Sequence, residues 1–227
     1  MTVTVYEVGG AVRDSLRGVE SKDRDFVVEA PSWEAMRAYI RERGTIYLET
    51  PKYLTIRAKL DGVNADYVLA RKESEYTDGR HPDRVEPGTI DDDLGRRDFT
   101  MNAIARRADG TLYDPHGGAE DIRRRLIRCV GDPDRRFYED ALRLLRAVRF
   151  AVTTGFDLCP AVVSCLNSPA HLDRLEGVSV ERTREELNKA FRHDTLATLT
   201  RLQQHPSLTK RLFGDNRLWL EATLKAR

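Results

Sequence analysis

Residues 3–28 read VTVYEVGGAVRDSLRGVESKDRDFVV, and the fold class turns on this stretch. Residues 3–8 are β-branched, aromatic or apolar with one Glu, Gly9 and Gly10 break the run, and Ala11, Val12 and Leu16 resume at helical spacing. A strand, a glycine turn and a helix follow from that pattern. After Gly18, residues 23–28 (DRDFVV) read as a second strand. Asp23 and Asp25 are separated by one residue, so a strand projects both carboxylates to one face. Like charges that close repel unless something cationic lies between them, and a hard divalent ion bound by oxygen is the usual solution. A solvated strand face is the other reading of the same pair. Upstream, the Gly-Gly turn at a helix start offers unobstructed backbone N–H groups and the positive end of a helix dipole, a seat for phosphate.

Outward from this stretch, Pro31 and Ser32 introduce an amphipathic helix over about 33–43. Residues 53–60 and 63–70 alternate apolar with polar around Asp61 and Gly62, a hairpin signal. Asp66 lies in the second of these strands with apolar neighbours, where a carboxylate is costly unless paired or liganded. Residues 71–93 are rich in Gly, Pro, Asp and Glu and read as a long loop. Helical spacing returns from Leu94 through Ala105, residues 111–113 read as a short strand, and Asp114, Pro115, Gly117 and Gly118 form a turn. Beyond Gly131 nothing reads as a strand: helices are expected at about 135–153, 160–168, 179–192 and 195–204. The chain is thus α/β first and all-α second, with domains at 1–130 and 131–227.

Composition narrows the function classes. With 38 basic and 37 acidic side chains in 227 residues the net charge is +1, which removes any argument from gross basicity to nucleic acid. The balance hides two asymmetries: 31 of the basic residues are Arg, and residues 61–93 carry ten acids against four bases while 121–149 carry nine Arg against five acids. Arg is the side chain suited to bidentate phosphate and base-edge contacts, although codon bias can raise its count. There is no run of eighteen apolar residues and no signal-peptide pattern at the start, so a soluble cytoplasmic protein away from the membrane is the expectation. Cys129, Cys159 and Cys165 fit no metal or disulfide spacing and are expected to be reduced and buried. His193 and Asp194 read as a solvated pair at a helix end, and His81 and His116 have no evident ligand partners.

Five motifs then carry a resemblance: GGAVRD (residues 9–14), KDRDF (22–26), RRDFTMNAIA (96–105), DPHGGAEDI (114–122) and EDALRLLRAVRF (139–150). In order and spacing the sequence resembles the class II tRNA nucleotidyltransferases, the CCA-adding, CC-adding and A-adding enzymes, together with bacterial poly(A) polymerases of the DNA polymerase beta superfamily. VERTREELNKAF (180–191) resembles the family's neck-helix motif, so the likeness covers about residues 3–192. It implies an α/β head, a mixed sheet with helices of the polymerase-beta-like nucleotidyltransferase type, followed by an all-α neck domain. Asp23 and Asp25 would hold two Mg2+ ions, and Asp66 would be the third carboxylate, near the attacking 3′-hydroxyl. Gly9 and Gly10, with Arg13, would meet the triphosphate, and Arg97, Asp98 and Asn102 would continue the nucleotide site. A capping and ion-pair role at a helix start is the plainer reading of Arg97 and Asp98.

The last of the five motifs would read the base. In a helix Asp140, Arg143, Arg146 and Arg149 recur every third residue and form one stripe. Asp140 can accept from an exocyclic amine and Arg143 can donate to a neighbouring acceptor, the pattern that cytosine and adenine present and guanine and uracil reverse. Without the other motifs the stripe reads as the solvated face of an amphipathic helix. The implied partners are CTP, ATP and an RNA 3′ end, tRNA above all, with template-independent addition of C and/or A as the reaction. A-only addition, a small poly(A) polymerase and a non-catalytic RNA- or nucleotide-binding module are the alternatives. The acidic segment 71–93 is where the choice between C and A is expected to be modulated. Against the family, neither a helix before the first strand nor the helical body and tail is expected, so most of the RNA-holding surface is expected to be missing and a homodimer to replace it.

Overall fold

The computed structural model describes residues 3–21, 23–74, 84–214 and 218. They fall into two units, one of residues Met1–Arg124 with Arg128–Gly131, the other of Arg125–Ile127 with Asp132–Arg227.

In the first unit the β-branched run forms β1 (Thr4–Val8), the glycine turn leads into α1 (Gly10–Leu16), and β2 (Asp25–Glu29) follows. Ser32 caps α2 (Trp33–Arg43), its hydroxyl accepting from the N–H of Ala35 at 3.2 Å. Then come β3 (Gly44–Thr50), β4 (Thr55–Leu60) and β5 (Val63–Leu69). Asp61 and Gly62 join the last two at φ 48° and 87°, the two positive values a tight primed hairpin turn requires. β6 (Arg71–Ser74), β7 (Arg84–Pro87), α3 (Ile90–Gly95), a 3₁₀ turn (Thr100–Asn102), β8 (Ala105–Arg106), β9 (Leu112–Tyr113) and α4 (Gly118–Arg123) complete it.

Seven strands form one mixed sheet in the order β3-β4-β5-β2-β1-β8-β9. β2 runs antiparallel to β1 and parallel to β5, and in that register Asp25 stands opposite Asp66. The core fills around Val28, Met36, Ile40, Ile56 and Tyr67, and again around Val8, Val27, Leu94, Ala103 and Val130. At about 25 cal/mol per Å² these side chains supply the main stabilising term and fix the strand faces.

Three expectations are corrected here. β2 begins at Asp25, so Asp23 lies just outside the strand and the shared-face argument for the pair does not hold as stated. The segment 71–93 is not one loop: β6 pairs with β7 and α3 starts at Ile90, while residues 75–83 and His81 with them lie outside the described residues. No helix spans Leu94 to Ala105, because the side chains of Asp98 and Asn102 compete for local hydrogen bonds and Phe99 is extended, bridging Cys129.

The second unit contains β10 (Leu126–Ile127), α5 (Pro133–Glu139), α6 (Leu142–Thr154), β11 (Asp157–Leu158), α7 (Pro160–Asn167), α8 (Pro169–Asp173), α9 (Val180–His193), α10 (Thr195–Gln204) and α11 (Pro206–Phe213). Proline opens α5, α7, α8 and α11, where its missing N–H costs nothing. α6 packs on α9 and α10, and its Leu144, Leu145, Val148 and Ala151 are buried. The helix expected at 135–153 is interrupted at Asp140, which is extended at φ −145°, ψ 102°. Contrary to the all-helical expectation, β11 pairs in parallel with β10. Asp194 ends α9 and caps α10, accepting from the N–H of Ala197 at 2.9 Å, and the neighbouring His193 is exposed.

The three cysteines are unpaired and buried. Burial, and then the Asp134 carboxylate, push the Cys165 thiol up to about 12, so it keeps its proton at neutral pH. Among the described residues no helix is long and apolar enough to cross a membrane.

Candidate functional site

Parallel pairing of β2 with β5 brings Asp25 and Asp66 together. The carboxyl of Asp25 is held above its ordinary value, first by loss of hydration and then by the negative charges of Asp66 and Asp23, against the pull of Arg97. Asp66 and Asp23 therefore both act on Asp25, with Arg97 as the nearby counter-charge. Arg24, between the two aspartates in sequence, pairs instead with Glu7 on β1 and lies over the Phe26 ring. Asp66 has a partner that the sequence reading missed. Arg57, opposite it on β4, donates from Nε and Nη2 to its two oxygens at 2.7 and 2.8 Å. Cross-strand pairing is invisible to local pattern, although the alternation of β4 placed Arg57 on a polar position.

The glycine turn meets the RRDFTMNA segment. Gly9 has φ 74°, which favours glycine, and a Cβ there would sit 3.0 Å from Nη1 of Arg97 and press on that side chain. Nη1 of Arg97 donates to the backbone oxygen of Asn102 at 3.3 Å, and Nη1 of Arg13 donates to Oδ1 of Asn102 at 2.7 Å. Arg13 also grips Asp14, and Asn102 donates from Nδ2 to Asp98 at 3.0 Å. Gly9, Arg13, Arg97, Asp98 and Asn102 are thus one connected group. Gly10 starts α1 beside Arg13. Asp98 is buried and accepts from the N–H of Phe99, so the local-capping reading applies to it as well.

Two acids missed in the sequence hold this group in place. Asp93 on α3, with a fully buried side chain, receives both Arg96 and Arg97. Burial works to raise its pKa, and the charges and hydrogen bonds of the two arginines overcome that, leaving it below 3.8. Asp121 on α4 accepts from the Thr100 hydroxyl at 2.6 Å and pairs with Arg128 at 2.8 Å. The DPHGG motif serves the same contact: Asp114 caps α4 through the N–H groups of Gly118 and Ala119, and a Cβ on Gly118 would collide with the carbonyl of Thr100. The i,i+3 and i,i+4 spacing of Asp93 to the arginines was the available signal.

In the second unit the four-residue stripe does not form as drawn. Asp140 stands at the break between α5 and α6, its Oδ1 accepting from the N–H of Leu142 at 3.1 Å, with Arg182 of α9 at 3.8 Å. Arg143 donates to the backbone oxygen of Arg136 at 2.8 Å and pairs with Glu139. Arg146 and Arg149 turn to the buried Glu186 on α9, Arg149 at 2.6 Å, and both lie over Phe150. The latter two are therefore engaged in helix packing, and the solvated-face reading fails for them too.

Residues 5–128 match the family described as the poly A polymerase head domain. The chain belongs to that family. The match contains Asp23, Asp25, Asp66 and the Arg97 group, so the head domain includes every residue of the connected site just described. The chain is 41% identical over 192 residues to a CCA-adding enzyme of Levilactobacillus brevis, a match covering 81% of this chain and 45% of that one. Among solved structures it is similar to the Bacillus stearothermophilus CCA-adding enzyme in complex with CTP, with TM-score 0.78 and 36% identity over 93% of this chain and 50% of that one. It is likewise similar to the Thermotoga maritima CCA-adding enzyme complexed with tRNA, with TM-score 0.72 and 29% identity over 94% and 49% of the two chains. The head-domain chain thus spans about half the length of these relatives or slightly less. The resemblance to tRNA nucleotidyltransferases and the mixed-sheet head followed by helices agree with the expectation from sequence.

Proposed function

We propose that this chain carries the nucleotide-binding and transfer parts of a template-independent nucleotidyltransferase that adds C and/or A from CTP and ATP to an RNA 3′ end, tRNA first of all. The observation that carries the reading is the register of Asp25 against Asp66, with Asp23 beside them and the Gly9, Arg13, Arg97 and Asn102 group in the same unit. Residues 1–130 would be the catalytic head and 131–227 the neck that reads the base. A cytoplasmic site of action goes with such substrates.

The donor set fits a hard divalent cation: it is all carboxylate oxygen, and the mutual repulsion at Asp25 is what such an ion relieves. Asp23 and Asp25 would hold two Mg2+ ions, while Arg57 keeps Asp66 oriented. When bound, Mg2+ supplies charge neutralisation at the α-phosphate and the departing pyrophosphate and makes the 3′-hydroxyl easier to ionise. The chain's own groups do the rest. Backbone N–H groups at Gly9 and Gly10 and the guanidinium of Arg13 bind triphosphate oxygens, and Arg97 balances the charge of Asp25. The RNA 3′-oxygen would attack the α-phosphorus, the bond to the bridging oxygen would break, pyrophosphate would leave, and Asp66 would take the hydroxyl proton.

Base choice is assigned to Asp140 and Arg143. Asp140→Ala is expected to lower the preference for CTP and ATP over UTP and GTP by about tenfold to a hundredfold, the worth of one paired base contact. Competition kinetics with the four nucleotides measures it, and an unchanged preference ends the assignment. The reaction itself is tested with radiolabelled CTP and ATP on tRNA ending before, within and after CCA. Incorporation of C then A is expected. One A with ATP alone, or an unlimited tail, would assign A-addition or poly(A) synthesis instead. No incorporation of either nucleotide, with Mg2+ present and folding verified, would leave only a binding module.

A further inference from the structure

Three side chains that nucleotidyl transfer leaves unused converge in the second unit. Asp134 lies in the first turn of α5, Cys165 on α7 and His171 on α8, and one ligand atom from each lies within 4.8 Å of the other two. Nε2 of His171 is 3.5 Å from Oδ1 of Asp134, and Sγ of Cys165 is 3.6 Å from the same oxygen. A tetrahedral zinc ion with ordinary bond lengths holds nitrogen and oxygen about 3.4 Å apart, and sulfur and oxygen about 3.6 Å apart. Two edges of the required tetrahedron are therefore already in place.

The surroundings are those of a site rather than of a surface cluster. Cys165 and His171 are 3% and 7% exposed, whereas the Asp134 side chain is open to solvent, which gives an ion a side from which to enter. Among the described residues Nδ1 of the buried His171 ring has no hydrogen-bond partner. Buried polar atoms are nearly always satisfied, and none of the described residues holds the ring in one tautomer from the Nδ1 side. Nε2 donates to the backbone oxygen of Asp134 at 3.2 Å in one tautomer; in the other the proton sits on Nδ1 and Nε2 offers a lone pair to a metal.

We propose that Asp134, Cys165 and His171 form a binding site for a zinc-type divalent ion that fastens α5, α7 and α8 together. Thiolate, imidazole and carboxylate together select a borderline-soft metal, whereas Asp23, Asp25 and Asp66 offer only hard oxygen. Binding releases the Cys165 proton as the metal–sulfur bond forms, and no redox change is involved. α5 ends at Glu139 with Asp140 as its C-cap, so the ion anchors the helix that leads to that residue.

Cobalt(II) is the probe, titrated into the chelator-stripped full chain with Mg2+ in excess to occupy oxygen-only sites. A near-ultraviolet thiolate-to-cobalt band and visible bands of tetrahedral intensity are expected, saturating at a single ion per chain and bleached by zinc. Cys165→Ser should abolish the thiolate band and Cys159→Ser should keep it. Asp134→Ala, at an exposed side chain, should fold and bind at least about tenfold more weakly. Circular dichroism verifies each variant, and Asp134→Ala decides the matter if Cys165→Ser does not fold. The proposal is overturned if the parent shows no thiolate band, if the band survives Cys165→Ser, or if Asp134→Ala binds as tightly as the parent. None of these readouts depends on nucleotidyl transfer.

Discussion

Asp25→Asn is expected to lose nucleotide transfer by about a thousandfold or more while unfolding at the same temperature as the parent or slightly higher. A thousandfold corresponds to about 4 kcal/mol of transition-state stabilisation, the scale of removing a group that fixes charge at the reacting phosphate. The stability half of the prediction comes from the same geometry. Asp25 is crowded by protein and faces the negative charges of Asp66 and Asp23, so its folded-state pKa lies above the ordinary carboxylate value. For an acid, a raised folded pKa means that ionisation costs stability above that pKa, and that the cost disappears as pH falls through it. Asn is neutral at every pH and never incurs it. The melting difference between variant and parent should therefore be widest near neutrality and close in acid, read by thermal unfolding across pH without added metal. Transfer at the parental rate would remove Asp25 from the site.

What local pattern could reveal, it revealed. The strand, glycine turn and helix of residues 3–16 and the hairpin around Asp61 and Gly62 follow from periodicity and turn chemistry, and both formed. The parallel pairing of β2 with β5, which sets Asp25 against Asp66, is long-range and has no local signature. Two misreadings share one cause. Asp98 and Asn102, and again Asp140, use their side chains to bond nearby groups, and that competition ended helices which apolar spacing alone would have continued. Of the residues missed altogether, Arg57, Asp93 and Glu186 are partners of predicted ones, and Asp121 holds Thr100 and Arg128. A charged side chain announces itself in sequence, but its partner is chosen by the fold. For that reason the stripe expected of Asp140, Arg143, Arg146 and Arg149 divided, with Arg143 paired to Glu139 and the other two arginines given to Glu186.

Asp93→Ala is expected to destabilise the chain by about 3 kcal/mol at neutral pH, because it removes the buried carboxylate that two guanidinium groups share. Asp93 receives Arg97 at 2.8 and 3.0 Å through one oxygen and Arg96 through the other. Arg97 in turn lies against Gly9 and the backbone of Asn102, so its release loosens the proposed triphosphate seat as well as the fold. The pH dependence distinguishes this from simple loss of packing. Asp93 is held below 3.8 in the folded chain, so its contribution is fully present above that value and is lost as pH falls through the lower, folded pKa. Urea unfolding of parent and variant should show a constant gap from neutrality down to about pH 4 and a narrowing one below it. Asp93→Asn, which keeps the shape and one acceptor but not the charge, should fall between the two. A gap that stays constant into strong acid would mean that Asp93 acts through packing alone, and the electrostatic anchoring of Arg97 would have to be abandoned.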